Sequence, residues 1–241
     1  MTRKVFVVPD IYGEYDKLLR LMDKILDKRT KDDLIIFLGD YIDRGKQSNR
    51  VINYIFNLKS NDDNIITLLG NHDMAFWESV RSIEILDIYG VEWFARYCIE
   101  TLESYQIDTK PLKSFEEDNQ IFYTEYFKKF VEEVKALKKT EEYRKFDILM
   151  CNSKLYHQEG KYIFTHSGGV HYKDVRKQTV NELLWSRDFA ERNDGHIHVC
   201  GHTPTITGTV EKHNDMLLCD VGAVYRDIEL PLIELEVGND E

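Results

Sequence analysis

The chain has 241 residues, 42% of them hydrophobic, with 32 basic and 43 acidic side chains and a net charge of −11. These proportions exclude intrinsic disorder, and a chain of this length builds a core without disulfide staples. The acidic excess argues against a nucleic-acid or anionic-membrane binder, because affinity for phosphate polyanions comes from basic patches. A phosphate-bearing substrate stays open, since a metal ion inverts the local field.

The first apolar run, Val5-Phe6-Val7-Val8, ends at Pro9 and Asp10. It is too short for a signal-peptide core and reads as a buried strand. Leu18, Leu19, Met22, Ile25 and Leu26 then mark one face of a helix. A second strand is expected over Leu34-Ile35-Ile36-Phe37-Leu38, a second helix around Val51, Ile52, Ile55 and Phe56, and a third strand over Ile65-Ile66-Thr67-Leu68-Leu69. Continuous apolar strands alternating with amphipathic helices predict an α/β layer. No stretch approaches the ~18 apolar residues of a membrane helix.

From about residue 78 to 145 the sequence turns rich in Glu, Lys and aromatic residues and reads as a helical insertion. Ser114-Phe115-Glu116-Glu117 fits a helix-opening capping box, and Phe127, Phe130, Val131, Val134 and Leu137 form an apolar face. Tyr89, Trp93, Phe94 and Tyr97 are expected in the core. The last third predicts strands at Tyr162–Thr165, His196–Cys200, Met216–Cys219 and Leu232–Val237, and a more antiparallel sheet there because no long helix separates the last two. Without repeats or linkers, a single domain over 1–241 carrying that insertion is expected. The four cysteines, Cys98, Cys151, Cys200 and Cys219, lack paired spacing and read as buried small apolar residues of a cytoplasmic protein.

Polar residues follow five of the strands: Asp10 in Pro9-Asp10-Ile11-Tyr12-Gly13, Asp40 in Gly39-Asp40-Tyr41-Ile42-Asp43-Arg44-Gly45, Asn71 in Gly70-Asn71-His72-Asp73, His166 in Thr165-His166-Ser167-Gly168, and His202 in Gly201-His202-Thr203-Pro204. Taken singly, each is an ordinary turn. In α/β sheets, however, ligands bind beyond the carboxyl ends of strands. Oxygen donors mixed with imidazoles suit Mn²⁺, Fe²⁺ or Zn²⁺. His196 and His198 lie along a strand rather than at its end, and an H-x-H pair without further ligands reads as surface or packing.

These motifs resemble those of the calcineurin-like metallophosphoesterases, and among them the phosphoprotein phosphatases of the small bacterial and phage type, such as phage lambda phosphatase. Leu184-Trp185-Ser186-Arg187 and Asp220-Val221-Gly222-Ala223-Val224 are similar to segments of the same branch. The resemblance spans about 4–76 and 162–237 and leaves the helical middle uncovered. It implies an α/β sandwich of central mixed sheets flanked by helices, with two metal ions, Mn²⁺ first and Fe or Zn as alternatives. Asp40 would bridge both ions, Asp10 would bind the first, and Asn71, His166 and His202 the second. Arg44 and Arg187, with Asn71, would hold the phosphate. His72 would be the general acid, oriented and kept protonated by Asp43, and a metal-bridging water or hydroxide the nucleophile.

The chain departs from the family at Tyr12, which stands where a histidine ligand of the first metal is expected, and at Pro9, which replaces a glycine. Either Tyr12 ligates a hard ion such as Fe³⁺, or carboxylates and water hold the first metal, or that site is weak. The resemblance implies a protein Ser/Thr phosphatase acting on phosphorylated substrates, without nucleic-acid or membrane partners. A diadenosine polyphosphate hydrolase is the rival enzyme. A non-catalytic phosphate- or metal-binding member is the rival of another class, although such a module has no use for a general acid.

Overall fold

The computed structural model describes residues 3–85, 88–113 and 125–238, without the side chains of 88–90, 113 and 126. The predicted capping box at Ser114–Glu117 and the side chain of Tyr89 lie outside the described residues.

Strands β1 (Arg3–Val8), β2 (Leu34–Phe37) and β3 (Ile65–Thr67) pair in parallel in the order β3-β2-β1. The final strand β9 (Ile233–Val237) adds antiparallel to β1, with Val7 opposite Ile233 and Arg3 opposite Val237. The second sheet has the order β4-β5-β6-β8-β7. It comprises β4 (Tyr156–Glu159), β5 (Tyr162–Thr165), β6 (Ile197–Cys200), β7 (Glu211–His213) and β8 (Met216–Leu218). Of these, β5, β6 and β8 run parallel, and β4 and β7 are antiparallel edges.

The two-residue period of β1 explains the layering. Val5 and Val7 pack with Leu34, Ile36, Phe164 and Val199 between the sheets, whereas Phe6 and Val8 pack with Leu18, Met22, Ile52 and Ile55 beneath the helices. Both faces of β1 are covered, so its sequence is continuously apolar. Helices α1 (Tyr15–Lys28) and α2 (Ser48–Asn61) supply that outer cover. On α1 the buried stripe is Leu18, Leu21, Met22 and Ile25. Leu26, predicted on this face, is 46% exposed because it lies one residue beyond the stripe.

The helical middle starts earlier and ends later than the composition suggests. Helix α3 (Asn71–Arg81) begins directly after β3, and α4 (Ile88–Tyr97), α5 (Ile99–Ser104), α6 (Lys110–Lys113), α7 (Glu125–Leu137) and α8 (Glu141–Asn152) follow. Phe76, Phe94, Phe130 and Phe146 join these helices in one apolar cluster with the outer face of the first sheet. Helix α9 (Val180–Trp185), absent from the sequence reading, opens on a capping box between Thr179 and Glu182.

Three expectations are corrected. The antiparallel character expected near the C-terminus is found only at sheet edges: β7 joins β8 and β9 joins β1 antiparallel in different sheets, whereas β8 runs parallel to β6. The connection between β8 and β9 is long enough to change layers without a helix. Cys151 is exposed on α8, while Cys98, Cys200 and Cys219 are buried. Trp93 and Tyr97 are only half-buried, packed against the edge of the core, while Val91 and Phe94 of their helix turn fully inward.

Candidate active site

Asp10, Asp40, Asn71, His166 and His202 stand just past β1, β2, β3, β5 and β6, all within 5% exposure. Because β1, β2 and β3 are parallel, as are β5 and β6, their carboxyl ends open on the same side of each sheet. The side chains converge: His166 Nε2 and His202 Nδ1 each lie 2.8 Å from Asn71 Oδ1, and His166 Nε2 lies 3.4 Å from Asp40 Oδ1.

Ligand atoms of Asp40, His166 and His202 fall within 4.8 Å of one another, the one such cluster among the described residues. His166 Nδ1 donates to the Leu38 carbonyl (2.9 Å), which turns Nε2 into the site, as an outer hydrogen bond orients a metal-bound imidazole. Burial would lower the His166 pKa, yet the Asp40 carboxylate outweighs it and raises it to about 9. The proton held there is one that a cation would displace. Burial and then the charge of His166 push His202 down to about 3, so it is a neutral donor. Its Nε2 is buried and has no hydrogen-bond partner among the described residues. Burial pushes the Asp40 carboxyl up, but His166 and His72 overcome this and hold it well below the usual range. Mixed nitrogen and oxygen donors of this kind fit a divalent transition ion.

Oxygen dominates the other half of the site. Both Asp10 oxygens accept the His202 N–H (3.1 and 3.0 Å), and the Tyr12 hydroxyl donates to Asp40 Oδ2 (2.6 Å). Burial, then Asp40 and Asp10, push the Tyr12 phenol well above its ordinary pKa. Asp220, just past β8, is 2% exposed. One of its oxygens accepts the Gly222 N–H, and the other has no partner among the described residues. Burial raises Asp220 to about 6, and the charge of Asp220 in turn adds to the burial that raises Asp10. An all-oxygen donor set suits a hard cation.

Beside this cluster, His72 Nδ1 lies 2.8 Å from Asp43 Oδ2 in a wholly buried pair. Burial would lower the His72 pKa; Asp40 and Asp43 overcome it and raise it. The Arg44 guanidinium approaches His72 Nε2 at 3.1 Å and sits 4.8 and 5.0 Å over the rings of Tyr12 and Tyr225. Arg187 donates to Thr203 Oγ1 (3.1 Å), next to His202. Its approach depends on α9, whose Leu183 carbonyl accepts both the N–H and the hydroxyl of Ser167 beside His166.

All the predicted site residues are therefore neighbours. The sequence reading overlooked Trp93 and Tyr97, whose ring centres lie 5.3 and 5.4 Å from that of His72. It also gave no role to Thr101, which holds Asp43, or to Asp220, although the latter follows a strand as the other acids do. Nothing in the helical middle marks Thr101 or Trp93, because their partners are distant in sequence.

Residues 3–232 match the calcineurin-like phosphoesterase family model. The chain belongs to that family. It is 35% identical over 97 residues to the serine/threonine-protein phosphatase 2B catalytic subunit A2 of Saccharomyces cerevisiae, covering 39% of this chain and 16% of that protein. It is 41% identical over 69 residues to the symmetrical bis(5'-nucleosyl)-tetraphosphatase of Legionella pneumophila, covering 29% and 24%. The matched segments thus span about a fifth of the curated relatives' length. Among solved structures, the cold-active protein-tyrosine phosphatase of a psychrophilic Shewanella shares the fold, with TM-score 0.59, 15% identity and coverage of 98% and 76%. Among the described residues, no helix is long and apolar enough to cross a membrane.

Proposed function

We propose that the chain is a dinuclear metal-dependent phosphomonoesterase of the protein Ser/Thr phosphatase type, working in the cytoplasm. The carrying observation is the buried His72–Asp43 pair set against the Asp40, His166 and His202 cluster. In this reading Asp40 is shared between two ions, Asp10 serves the first, and Asn71, His166 and His202 serve the second, with Mn²⁺ as the working metal. When bound, such ions supply Lewis acidity toward phosphoryl oxygens and make water acidic enough to attack. Arg44 and Arg187 bind the phosphate oxygens, a task suited to the guanidinium fork, with the Asn71 amide beside them. His72 Nδ1 donates to Asp43, which leaves Nε2 to carry the proton that the leaving oxygen needs once Arg44, which can only donate to Nε2, turns to the phosphate. Burial would lower the His72 pKa, but Asp40 and Asp43 outweigh it and favour the protonated form. The rings of Trp93 and Tyr97 shield the imidazole from water.

A second reading, dinucleoside polyphosphate hydrolysis, is favoured by the exposed rings of Trp185 and Tyr225 at the rim, at 43% and 55%, which offer stacking surfaces for bases. The purified protein, stripped with chelator and reloaded with Mn²⁺, is assayed on a phosphoserine peptide, p-nitrophenyl phosphate and diadenosine tetraphosphate. Activity is expected to vanish on stripping, to return with Mn²⁺, and to be higher on the phosphopeptide. Full activity without metal defeats the dinuclear reading; preference for the dinucleotide establishes the second.

A further inference from the structure

The helical middle reaches the proton-donating pair through the rings of Trp93 and Tyr97 on His72 and, at Asp43, through the Cys98 thiol and the Thr101 hydroxyl, the shortest of these contacts. Thr101, in the first turn of α5, is wholly buried. Its Oγ1 donates to Asp43 Oδ1 at 2.7 Å and accepts the Asp43 N–H at 2.8 Å. Ser48 Oγ lies 3.1 Å from the same hydroxyl and 3.2 Å from the Asp43 nitrogen. The carboxylate is thereby divided: Oδ1 accepts from Thr101, and Oδ2 faces His72 with the Cys98 thiol as a weaker donor at 3.7 Å.

This arrangement does more than satisfy a buried acid. Asp43 and Arg44 both adopt left-handed backbone, with φ of 74° and 64°, in a turn that non-glycine residues resist. The Thr101 hydroxyl grips the turn at its N–H and the side chain at Oδ1, fixing both ends of the Asp43 rotor. With Oδ1 immobilised, Oδ2 can lie only where His72 Nδ1 meets it, and Nε2 is aimed by the same constraint. Without the hydroxyl, Oδ1 is left buried and unpaired, and the carboxylate rotates to recover a partner.

We propose that Thr101 is a positioning residue for proton delivery, acting through Asp43 on His72, so that the helical middle is a working part of the reaction. The proposal rests on His72 acting as the general acid. In that step the Nε2–H bond breaks as the proton passes to the leaving oxygen. The imidazole is left neutral, with its Nδ1–H still donating to Asp43 Oδ2.

The test compares leaving groups on the Mn²⁺-loaded enzyme. An alkyl phosphate such as phosphoserine peptide needs a proton at its leaving oxygen, whereas p-nitrophenolate departs without one. For Thr101→Val, kcat on the phosphopeptide is expected to fall about 10–100-fold, less than the ~10²–10⁴ typical of losing the acid itself. The p-nitrophenyl phosphate rate should stay within about twofold, which also reports an intact fold, and Thr101→Ser should restore both. In a His72→Asn background, Thr101→Val should leave the ratio of the two rates unchanged, since residues acting through one group are not additive. Equal losses on both substrates, or a further loss in the His72→Asn background, overturn the proposal. If the valine variant does not accumulate, Thr101→Ala removes the same hydroxyl and is read identically. Failure of the acid reading itself appears separately, as His72→Asn lowering both rates equally.

Discussion

Five residues of the site, Tyr12, Asp40, Asp43, Arg44 and His202, hold left-handed φ angles between 48° and 74°. Each costs roughly 1–3 kcal/mol and survives only where its surroundings leave no alternative. Glycine contacts supply part of that constraint. A Cβ on Gly70 would fall 2.1 Å from the Asp40 nitrogen and 2.2 Å from Asp40 Oδ1. Gly70→Ala is expected to displace Asp40, cost about 1–3 kcal/mol by overpacking, and abolish metal binding in calorimetric titration. Retained stoichiometric binding would show that Asp40 tolerates the shift. Tyr12 poses the opposite question, because its phenol is now a donor to Asp40. A strongly charged ion favours phenolate. Iron loading in air should produce a visible phenolate-to-iron band that Tyr12→Phe removes, and Tyr12→His should raise Mn²⁺-supported activity. A colourless iron-loaded protein would mean that the phenol remains a donor and that carboxylates alone hold the ion.

At the level of elements, α4 carries two faces with different work. Phe94 is buried against Phe76 of α3 and Phe130 of α7, while Trp93 and Tyr97 turn toward His72. The side chains of this helix therefore divide among core, active site and solvent, the last taken by the exposed Glu92 and Arg96. Phe94→Ala should destabilise the protein by about 3–5 kcal/mol, read from the midpoint of urea unfolding. Turnover of phosphoserine peptide should fall with it even under conditions where the protein stays folded, since α4 then loses its seat beside the acid. Unchanged turnover in the folded variant would uncouple α4 from the chemistry.

Across the whole molecule, the far end of the second sheet carries titratable groups that the reaction does not use. His198 is 2% exposed, and its Nε2 lies 3.0 Å from Asp194 Oδ2. Burial, and then the charge of Arg192, lower its pKa, with Asp194 only partly opposing them. A histidine whose folded pKa lies below its unfolded value contributes stability that is full above the unfolded value of about 6.5. That contribution is lost as pH falls toward and through the folded value. Between pH 7 and pH 5 the contribution of His198 to the unfolding free energy, read from urea titrations, should therefore fall by at most about 1.4 kcal/mol per pH unit. His198→Gln should flatten that part of the profile; an identical slope in the variant would remove His198 from the account.

The amino-acid sequence alone determined the α/β class and which polar residues follow the strands into the candidate site, because these depend on local patterns. Apolar runs of four or five residues mark strands buried on both faces, and a polar residue directly after each must stand at a strand end. The same locality made Asp43, Arg44 and His72 legible, since each lies within a few residues of an expected ligand. Tertiary structure alone decided the rest. β9 reaches β1 from far along the chain, as the pairing of Val7 with Ile233, 226 positions apart, shows, and no periodicity encodes which sheet a strand joins. Trp93, Tyr97 and Thr101 look like ordinary helix residues until α4 and α5 are packed on α2 and α3. Asp43 and Thr101 are 58 positions apart, and only packing brings hydroxyl and carboxylate within a hydrogen bond.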